Sequence, residues 1–286
     1  MTTTALPGLP LAARTIKLIA SDLDGTLLHL NKEVTPRTTA AIRAAFEAGL
    51  VVVAATGRQV TQVPEPVLAS GIRYIVASNG AIGVDLADGT ILFERLLAPQ
   101  VAAAIVAHLT AELEGVRFSA VRDGGARHAA EPGYLDLVKP VERKQWIELI
   151  EPASLAEVVA QPTLKLTVRH PTLSADDLLA VMDASGLTGF HATTSGAPFL
   201  EIQGAGVTKA TGVARLCGLL GFDASEVMSA GDARNDVELL EWAAFGVAMG
   251  NAVPAAIAAA DWTTTRNDED GLAIVIEQVL EARRIA

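Results

Sequence analysis

Acidic residues follow two of the apolar segments of this sequence. In DLDGT, Asp22 and Asp24 stand two residues apart after the run IKLIAS, and Gly25 permits a sharp turn. In GDARND, Asp232 and Asp236 follow a second apolar run. Clustered carboxylates repel one another unless a cation lies between them, and Mg²⁺ prefers a few oxygen ligands with room left for a phosphate oxygen. Taken singly, each motif is explained as well by helix capping or a turn as by metal binding.

Four further residues offer hydrogen bonds or charge to an anion. Thr56 and Gly57 lie in ATGR, where the hydroxyl can donate and the glycine lets backbone amides approach closely. Lys209 lies in the first turn of a predicted helix, where a cation is unfavourable unless an anion such as phosphate is bound there. Asn235 adds an amide beside Asp236. TGR is a weak signal by itself, and a lone Lys209 would more often be a solvated lysine.

Together these residues supply what phosphoryl transfer requires. The set contains a carboxylate nucleophile, a second carboxylate for proton transfer, ligands for a divalent ion, a lysine, and hydroxyl and amide donors for the phosphate oxygens. Clustering of all of them predicts chemistry more strongly than any single motif does.

The elements that must position these residues alternate between strands and helices. Short apolar runs that end in polar or glycine clusters indicate parallel strands buried on both faces. These runs lie at 16–22, 50–58, 74–80, 226–232 and 245–251. Helical patterns between them lie at 36–48, 208–220, 235–243, 254–260 and 272–282. The predicted fold class is therefore α/β, with ligands bound at the carboxyl ends of the strands.

The regular alternation of strands and helices is interrupted in the middle of the chain. Predicted helices near 99–113 and 174–185 are interspersed with the strand-like pieces VRFSAV, LKLTV and FLEI. We therefore expect an inserted α+β domain over 98–200, a core formed by 1–97 and 201–286, and a flexible tail over 1–14.

Composition restricts the possible partners. The 33 acidic against 22 basic residues give a net charge of −11, which disfavours nucleic acid and anionic membranes. The single cysteine, Cys217, excludes an intramolecular disulfide. Residues 1–14 lack the basic start and long apolar stretch that are typical of a signal peptide, and no run of 18 or more apolar residues follows them. We expect a cytoplasmic protein that is a monomer or a small homo-oligomer.

The order of the motifs DLDGT, ATGR, SNGA, GVTK, GDARND and MGNA, closed by NDEDGLA, resembles the haloacid dehalogenase superfamily. Over about 16–276 it is similar to the Cof-type sugar-phosphatase branch, with a type IIB α/β cap. The resemblance implies a Rossmann-like core with the cap inserted after the third core strand, and a magnesium-dependent phosphatase. The dehalogenases that name the superfamily lack the second aspartate of DxD, so its presence here favours phosphate chemistry.

The resemblance also implies residue roles. Asp22 would attack phosphorus, and Asp24 would act as general acid and base. Mg²⁺ would be bound by the Asp22 carboxylate, the Asp24 carbonyl and Asp232, with Asp236 supporting the site. The implied phosphate ligands are the Leu23 amide, Thr56, Gly57, Lys209 and Asn235.

The cap is expected to select a small phosphorylated metabolite, with a sugar phosphate as the preferred class. Its candidate substrate contacts are Arg122, Arg127, His128, Tyr134 and Lys165. Two alternatives remain open at this point. One is a phosphosugar mutase or phosphotransferase that uses the same aspartyl-phosphate, and the other is a non-catalytic module that is phosphorylated on Asp22.

Overall fold

The computed structural model describes residues 15–138 and 149–284. The predicted tail at 1–14 lies outside them. The strands are, in chain order, β1 (Leu18–Ser21), β2 (Val51–Ala55), β3 (Tyr74–Ala77), β4 (Ile82–Asp85), β5 (Thr90–Glu94), β6 (Arg117–Arg122), β7 (Arg127–Ala130), β8 (Ile150–Pro152), β9 (Lys165–Arg169), β10 (Phe190–Thr193), β11 (Leu200–Gly204), β12 (Val227–Gly231), β13 (Phe245–Ala248) and β14 (Trp262–Thr263). The described helices are α1 (Pro36–Glu47), α2 (Glu65–Ala69), α3 (Pro99–Glu112), α4 (Leu155–Val159), α5 (Ala175–Asp183), α6 (Lys209–Leu220), α7 (Val237–Trp242), α8 (Pro254–Ala259) and α9 (Gly271–Arg284).

The larger sheet has the strand order β14-β13-β12-β1-β2-β3-β4-β5. Its strands from β14 to β3 are parallel, and β4 and β5 add an antiparallel hairpin at one edge. Strand β1 lies between β2 and β12, and all four of its residues are buried. Burial on both faces explains the continuous apolar runs in the sequence. The predicted α/β fold with a Rossmann-like core is confirmed.

Helices pack on both faces of this sheet, and their ends follow local signals. Helix α1 begins with Thr35 as N-cap and Pro36 in its first turn. Thr208 is the N-cap of helix α6, and its hydroxyl accepts from the Thr211 backbone amide. Gly221, with φ of 78°, is the C-cap that ends the helix. That α6 N-terminus carries Lys209 to the carboxyl edge of the sheet.

The smaller sheet has the order β10-β11-β9-β6-β7-β8 and is antiparallel except for the β7–β8 pair. Helices α3, α4 and α5 cover its apolar face, and this region has a hydrophobic core of its own. Strand β11 extends to Gly204. The boundary expected at residue 200 falls inside that strand, so we propose a cap domain over 98–204.

The chain enters the cap after the hairpin of β4 and β5 and returns through β11 to α6. Across residues 15–138 and 149–284, none of the helices is long and apolar enough to cross a membrane.

Candidate active site

The site residues that the sequence predicts meet at the carboxyl edge of the parallel strands. Asp22 follows β1, Thr56 follows β2 and Asp232 follows β12, and these three strands are neighbours in the sheet. Lys209 reaches the same place from the start of α6. The topology therefore brings together residues from four separate segments.

Lys209 is the centre of a buried charge cluster. Its ammonium lies 2.7 Å from an Asp22 carboxylate oxygen and 2.6 Å from one of Asp236. Although burial alone would lower the pKa of Lys209, these two carboxylates raise it, so the lysine is charged. The alternative that Lys209 is a solvated surface lysine is wrong, because the residue is 1% exposed.

Carboxylates outnumber this ammonium. Asp22, Asp232 and Asp236 each bring one carboxylate oxygen within 4.8 Å of the others. Burial, followed by the charge of Asp236, raises the pKa of Asp232 to about 6. Burial raises the pKa of Asp22 well above its ordinary value, with further contributions from Asp236 and Asp232 against the opposing effect of Lys209. The cluster is short of positive charge, which is the condition that a divalent cation would relieve.

The two oxygens of Asp236 are already engaged. One accepts from Lys209, and the other accepts from the backbone amides of Asp232 and Ala233, at 3.0 and 2.9 Å. Asp236 is fully buried. These contacts suit a residue that holds Lys209 and the Asp232 loop in place more than one that binds a metal directly.

Asp232 is oriented by residues to which the sequence analysis assigned no role. Thr26 donates to one of its oxygens at 3.1 Å, and Asn251 lies 3.3 Å from the other. Gly25 has φ of +78°, and a Cβ there would lie 2.3 Å from the Asp232 carboxylate. The backbone of DLDGT therefore packs directly on Asp232, and only glycine fits at this approach.

Asn251 and Asn267 form a further support. Asn251 donates to the Gly25 carbonyl at 2.8 Å and accepts from the Asn267 amide at 2.9 Å. These asparagines lie in MGNA and NDEDGLA, so the motifs themselves were the signal that could have identified them.

Asp24 is held in a different electrostatic setting. Arg58 donates to both of its oxygens, at 2.6 and 2.7 Å, and Lys32 donates to one at 2.7 Å. Although burial raises its pKa, the bonds and charge of Arg58, followed by those of Lys32, lower it to about 2. Asp24 is thus ionised in this arrangement. Arg58 is the arginine of ATGR, to which the sequence analysis gave no role.

The predicted phosphate ligands come from the segments that follow β1, β2 and β12 and from the start of α6. Thr56 is 1% exposed, and Asn235 is 4% exposed and donates to the Asn79 side chain at 2.9 Å. Asn79 comes from SNGA and adopts the left-handed conformation, with φ of 55°. The Leu23 side chain is buried in the hydrophobic core, so a contact with phosphate would come from its backbone amide.

A cavity of about 740 Å³ lies between the two sheets and reaches these residues. Core residues line one side, and cap residues such as Ser195, Phe199 and Glu201 line the other. Asp22, Asp24, Thr56, Gly57 and Asn235 all line it. Its volume falls within the range of small-molecule sites.

The five cap residues predicted to contact substrate are dispersed. Lys165 lines the cavity, whereas the other four are not among its described lining residues. Arg127 is exposed and paired with Glu151 and Asp123. Arg122 donates to the carbonyls of Glu157 and Val158.

The remaining two are buried in the cap. The Tyr134 hydroxyl lies 2.8 Å from that of Thr167. Burial, followed by the charge of Lys165, lowers the pKa of His128 to about 4, so its imidazole is neutral. Substrate contact by any of the five stays a prediction.

Comparison with known proteins places this arrangement in a family. Residues 19–276 match the family model described as haloacid dehalogenase-like hydrolase. The Escherichia coli (strain K12) protein named 5-amino-6-(5-phospho-D-ribitylamino)uracil phosphatase YbjI is 31% identical over 281 residues, which cover 93% of this chain and 97% of the relative.

Two solved structures share the fold. The structure of SMU.1108c from Streptococcus mutans UA159 superimposes with a TM-score of 0.80 at 22% identity, covering 93% of this chain and 99% of that one. The structure described as the HAD subclass IIB sugar phosphatase BT4131 has a TM-score of 0.76 at 24% identity, covering 91% and 98%. The resemblance seen in the sequence is confirmed: this chain belongs to the haloacid dehalogenase-like hydrolase family and is an enzyme of its phosphatase branch.

Proposed function

We propose that this protein is a Mg²⁺-dependent phosphatase that removes phosphate from a small metabolite through an aspartyl-phosphate on Asp22. The observation that carries the proposal is the meeting of Asp22, Asp24, Thr56 and Asn235 on the wall of one cavity beneath the cap. A carboxylate nucleophile, a proton-transfer group and hydrogen-bond donors are thereby presented to the same bound phosphate ester.

The residues present fit a divalent metal. The Asp22 and Asp232 carboxylates and the Asp24 backbone carbonyl would hold it. Burial, followed by the negative charge of Asp236, raises the pKa of Asp232, and a cation would neutralise that charge. Oxygen ligands alone favour Mg²⁺ over softer metals. When bound, Mg²⁺ supplies neutralisation of the charge on the phosphate oxygens.

The first half-reaction is attack by an Asp22 carboxylate oxygen on phosphorus. The new oxygen–phosphorus bond forms as the bond to the leaving alkoxide breaks, and Asp24 gives that oxygen a proton. Arg58 and Lys32 hold Asp24 ionised until substrate enters. An anionic phosphate ester competes for these two cations and raises the pKa of Asp24, which then takes up from solvent the proton that it gives to the leaving oxygen.

The second half-reaction is hydrolysis of the aspartyl-phosphate. Asp24, now ionised, takes a proton from a water molecule as the water oxygen attacks phosphorus, and Asp22 is released as a carboxylate. Lys209 and Asn235 would hold the phosphate through both steps. A single proton-transfer group therefore serves both half-reactions.

We infer that the leaving group is sugar-like. The cavity has room for a phosphorylated sugar or sugar alcohol, and its cap side combines polar Ser195 and Glu201 with the ring of Phe199. The name of the Escherichia coli relative specifies a phosphate ester on a ribityl chain, which belongs to the same chemical class.

The test is phosphate release from a panel of phosphorylated metabolites with Mg²⁺, comprising sugar phosphates, sugar-alcohol phosphates, nucleotides, pyridoxal phosphate and flavin mononucleotide. We expect hydrolysis of sugar-like esters, its loss on addition of EDTA, and its return on addition of excess Mg²⁺. Activity that survives EDTA would exclude the metal, and hydrolysis confined to pyridoxal phosphate, whose phosphate is not on a sugar or sugar alcohol, would exclude the sugar-like class.

A further inference from the structure

A buried ion pair in the cap lies against the core loop that contains Thr56. Lys165 and Glu201 are 2% and 1% exposed, and their charged groups lie 2.5 Å apart. They belong to the adjacent strands β9 and β11, where Glu201 faces Thr167. Lys165 is therefore a diagonal neighbour of Glu201 on the same face of the sheet.

Stability alone does not explain a buried ion pair of this kind. Removing two charges from water costs about as much as their attraction returns, and well-packed apolar residues often stabilise a core equally well. The further contacts of the pair are therefore informative. The second oxygen of Glu201 accepts from the Ser195 hydroxyl at 2.6 Å, so the carboxylate is held from two sides.

The other contact crosses from the cap to the core. The Lys165 ammonium donates to the Gly57 carbonyl at 2.7 Å. The pair also packs closely on this glycine, since a Cβ at position 57 would lie 3.4 Å from one Glu201 oxygen and 3.0 Å from the Asn79 side-chain oxygen. The Lys165 ammonium thus binds the Glu201 carboxylate in the cap and a backbone carbonyl in the core.

The Gly57–Arg58 peptide, whose carbonyl binds Lys165, makes a second hydrogen bond through its N–H group. The Arg58 N–H, which belongs to the same rigid plane as the Gly57 carbonyl, donates to the Thr56 hydroxyl oxygen at 3.1 Å. Because that oxygen accepts here, its own hydrogen is available for donation to another acceptor. The Arg58 side chain in turn binds Asp24.

We propose that Lys165, held by Glu201, is a positioning residue that orients the Gly57–Arg58 peptide and through it aims the Thr56 hydroxyl at the substrate phosphate. The inference rests on the proposed function, in which Thr56 donates to phosphate. The phosphate-binding loop is then correctly oriented only when the cap is docked on the core, because the Lys165 ammonium that holds the Gly57 carbonyl belongs to the cap.

The test is a double-mutant cycle on substrate turnover. In the variant K165M/E201Q both charges are removed, the stems remain, and the Ser195 bond is preserved. We expect kcat for the best substrate of the panel to fall about 10-fold, the scale of a misplaced catalytic group. In a T56V background the same double change is expected to alter kcat less than about twofold, because no hydroxyl remains to be aimed.

A matched control separates positioning from cap docking. Glu238 of the core lies 3.8 Å from His191 of the cap, which is another contact between core and cap, and neither residue is among those that line the cavity. E238Q should leave kcat nearly unchanged. An equal loss in E238Q and K165M/E201Q, an equal loss with and without Thr56, or no loss at all would each overturn the inference.

Hydrogen exchange of the Arg58 amide gives a readout without turnover. NMR should show faster exchange in K165M/E201Q than in wild type and E238Q, since Lys165 no longer fixes the peptide. Failure of wild type to hydrolyse any ester would refute the proposed function, and unchanged exchange at Arg58 would separately refute the role of Lys165.

Discussion

One buried lysine lies in the core beside Asp22, another lies in the cap on the cavity wall, and the charge balance around the two differs. In the core, Lys209 contacts Asp22 and Asp236, and Asp232 lies close to both carboxylates. In the cap, Lys165 contacts the single carboxylate of Glu201 and a backbone carbonyl. The core cluster has an excess of carboxylates that a cation could balance, whereas the opposite charges of the cap pair balance each other. We therefore expect the core cluster to bind ligands and the cap pair to hold protein atoms in place.

The largest effect is expected at the carboxylate that the core cluster presents to substrate. Asp22→Asn should lower kcat by about 10⁴-fold or more, because an amide neither attacks phosphorus nor binds a metal as a carboxylate does. Phosphate release with Mg²⁺ measures it. Burial raises the pKa of Asp22, so a neutral amide should leave the thermal unfolding temperature unchanged or higher. Wild-type turnover in this variant would contradict the mechanism.

Replacement of the second aspartate should have a smaller effect. Asp24→Asn is expected to lower kcat by about 10²- to 10⁴-fold, since one group handles the protons of both half-reactions. Single-turnover measurements should show both the formation and the breakdown of the aspartyl-phosphate slowed. Slowing of only one step would restrict Asp24 to that step.

Stability measurements can sharpen the contrast between the two lysines. Lys165→Met and Lys209→Met each leave buried carboxylates uncompensated, and each should lower the free energy of unfolding by about 3–5 kcal/mol. Urea unfolding measures both losses. Mg²⁺ should recover part of the loss in Lys209→Met but none in Lys165→Met, because the described part of the chain places three clustered carboxylates in the core only. Equal recovery in both variants would remove the distinction.

The smallest expected effect is a pH dependence of the metal-free protein. The pKa of Asp232 is raised to about 6 in the folded state, so the folded state binds this proton more tightly than the unfolded chain does. Stability from this group is therefore gained as pH falls from about 6 toward 4. His128, with its pKa lowered to about 4, changes stability in the opposite direction over the same window.

Comparison with Asp232→Asn isolates the contribution of Asp232. The unfolding temperature of wild type relative to this variant should rise as pH falls from about 6 to 4, because His128 is common to both proteins. Excess Mg²⁺ should reduce the difference at pH 6. A wild-type advantage that shrinks on acidification would reverse the predicted sign.

The sequence predicted the core well because its strands are buried on both faces. Runs such as VVVAA can be recognised without knowledge of their neighbours, and each ends in polar residues whose meeting follows from the parallel order of the strands. The approach of Asp232 to Asp22 is of this kind. The α/β class and the family followed from the same motifs.

The partners of individual charges could not be predicted in this way. That Arg58 clamps Asp24, and that Asn251 supports Asp232, depends on contacts between loops from different strands. In the cap, Lys165 was a candidate for substrate contact because lysine is polar and the cap selects substrate. Its diagonal pairing with Glu201 depends on strand register, which the composition of LKLTV does not encode.

The pairing of β1 with β12 also has a consequence for synthesis of the chain. Asp22 and Lys209 stand 187 residues apart, and the insert that becomes the cap leaves the ribosome between them. The cap has a hydrophobic core of its own and all of its sheet, so it can fold while β1 is paired with β2 but not yet with β12. The nucleophile therefore lies beside an exposed strand edge until about the last fifth of the protein has been synthesised, and that edge is first covered when residues 227–231 have left the ribosome.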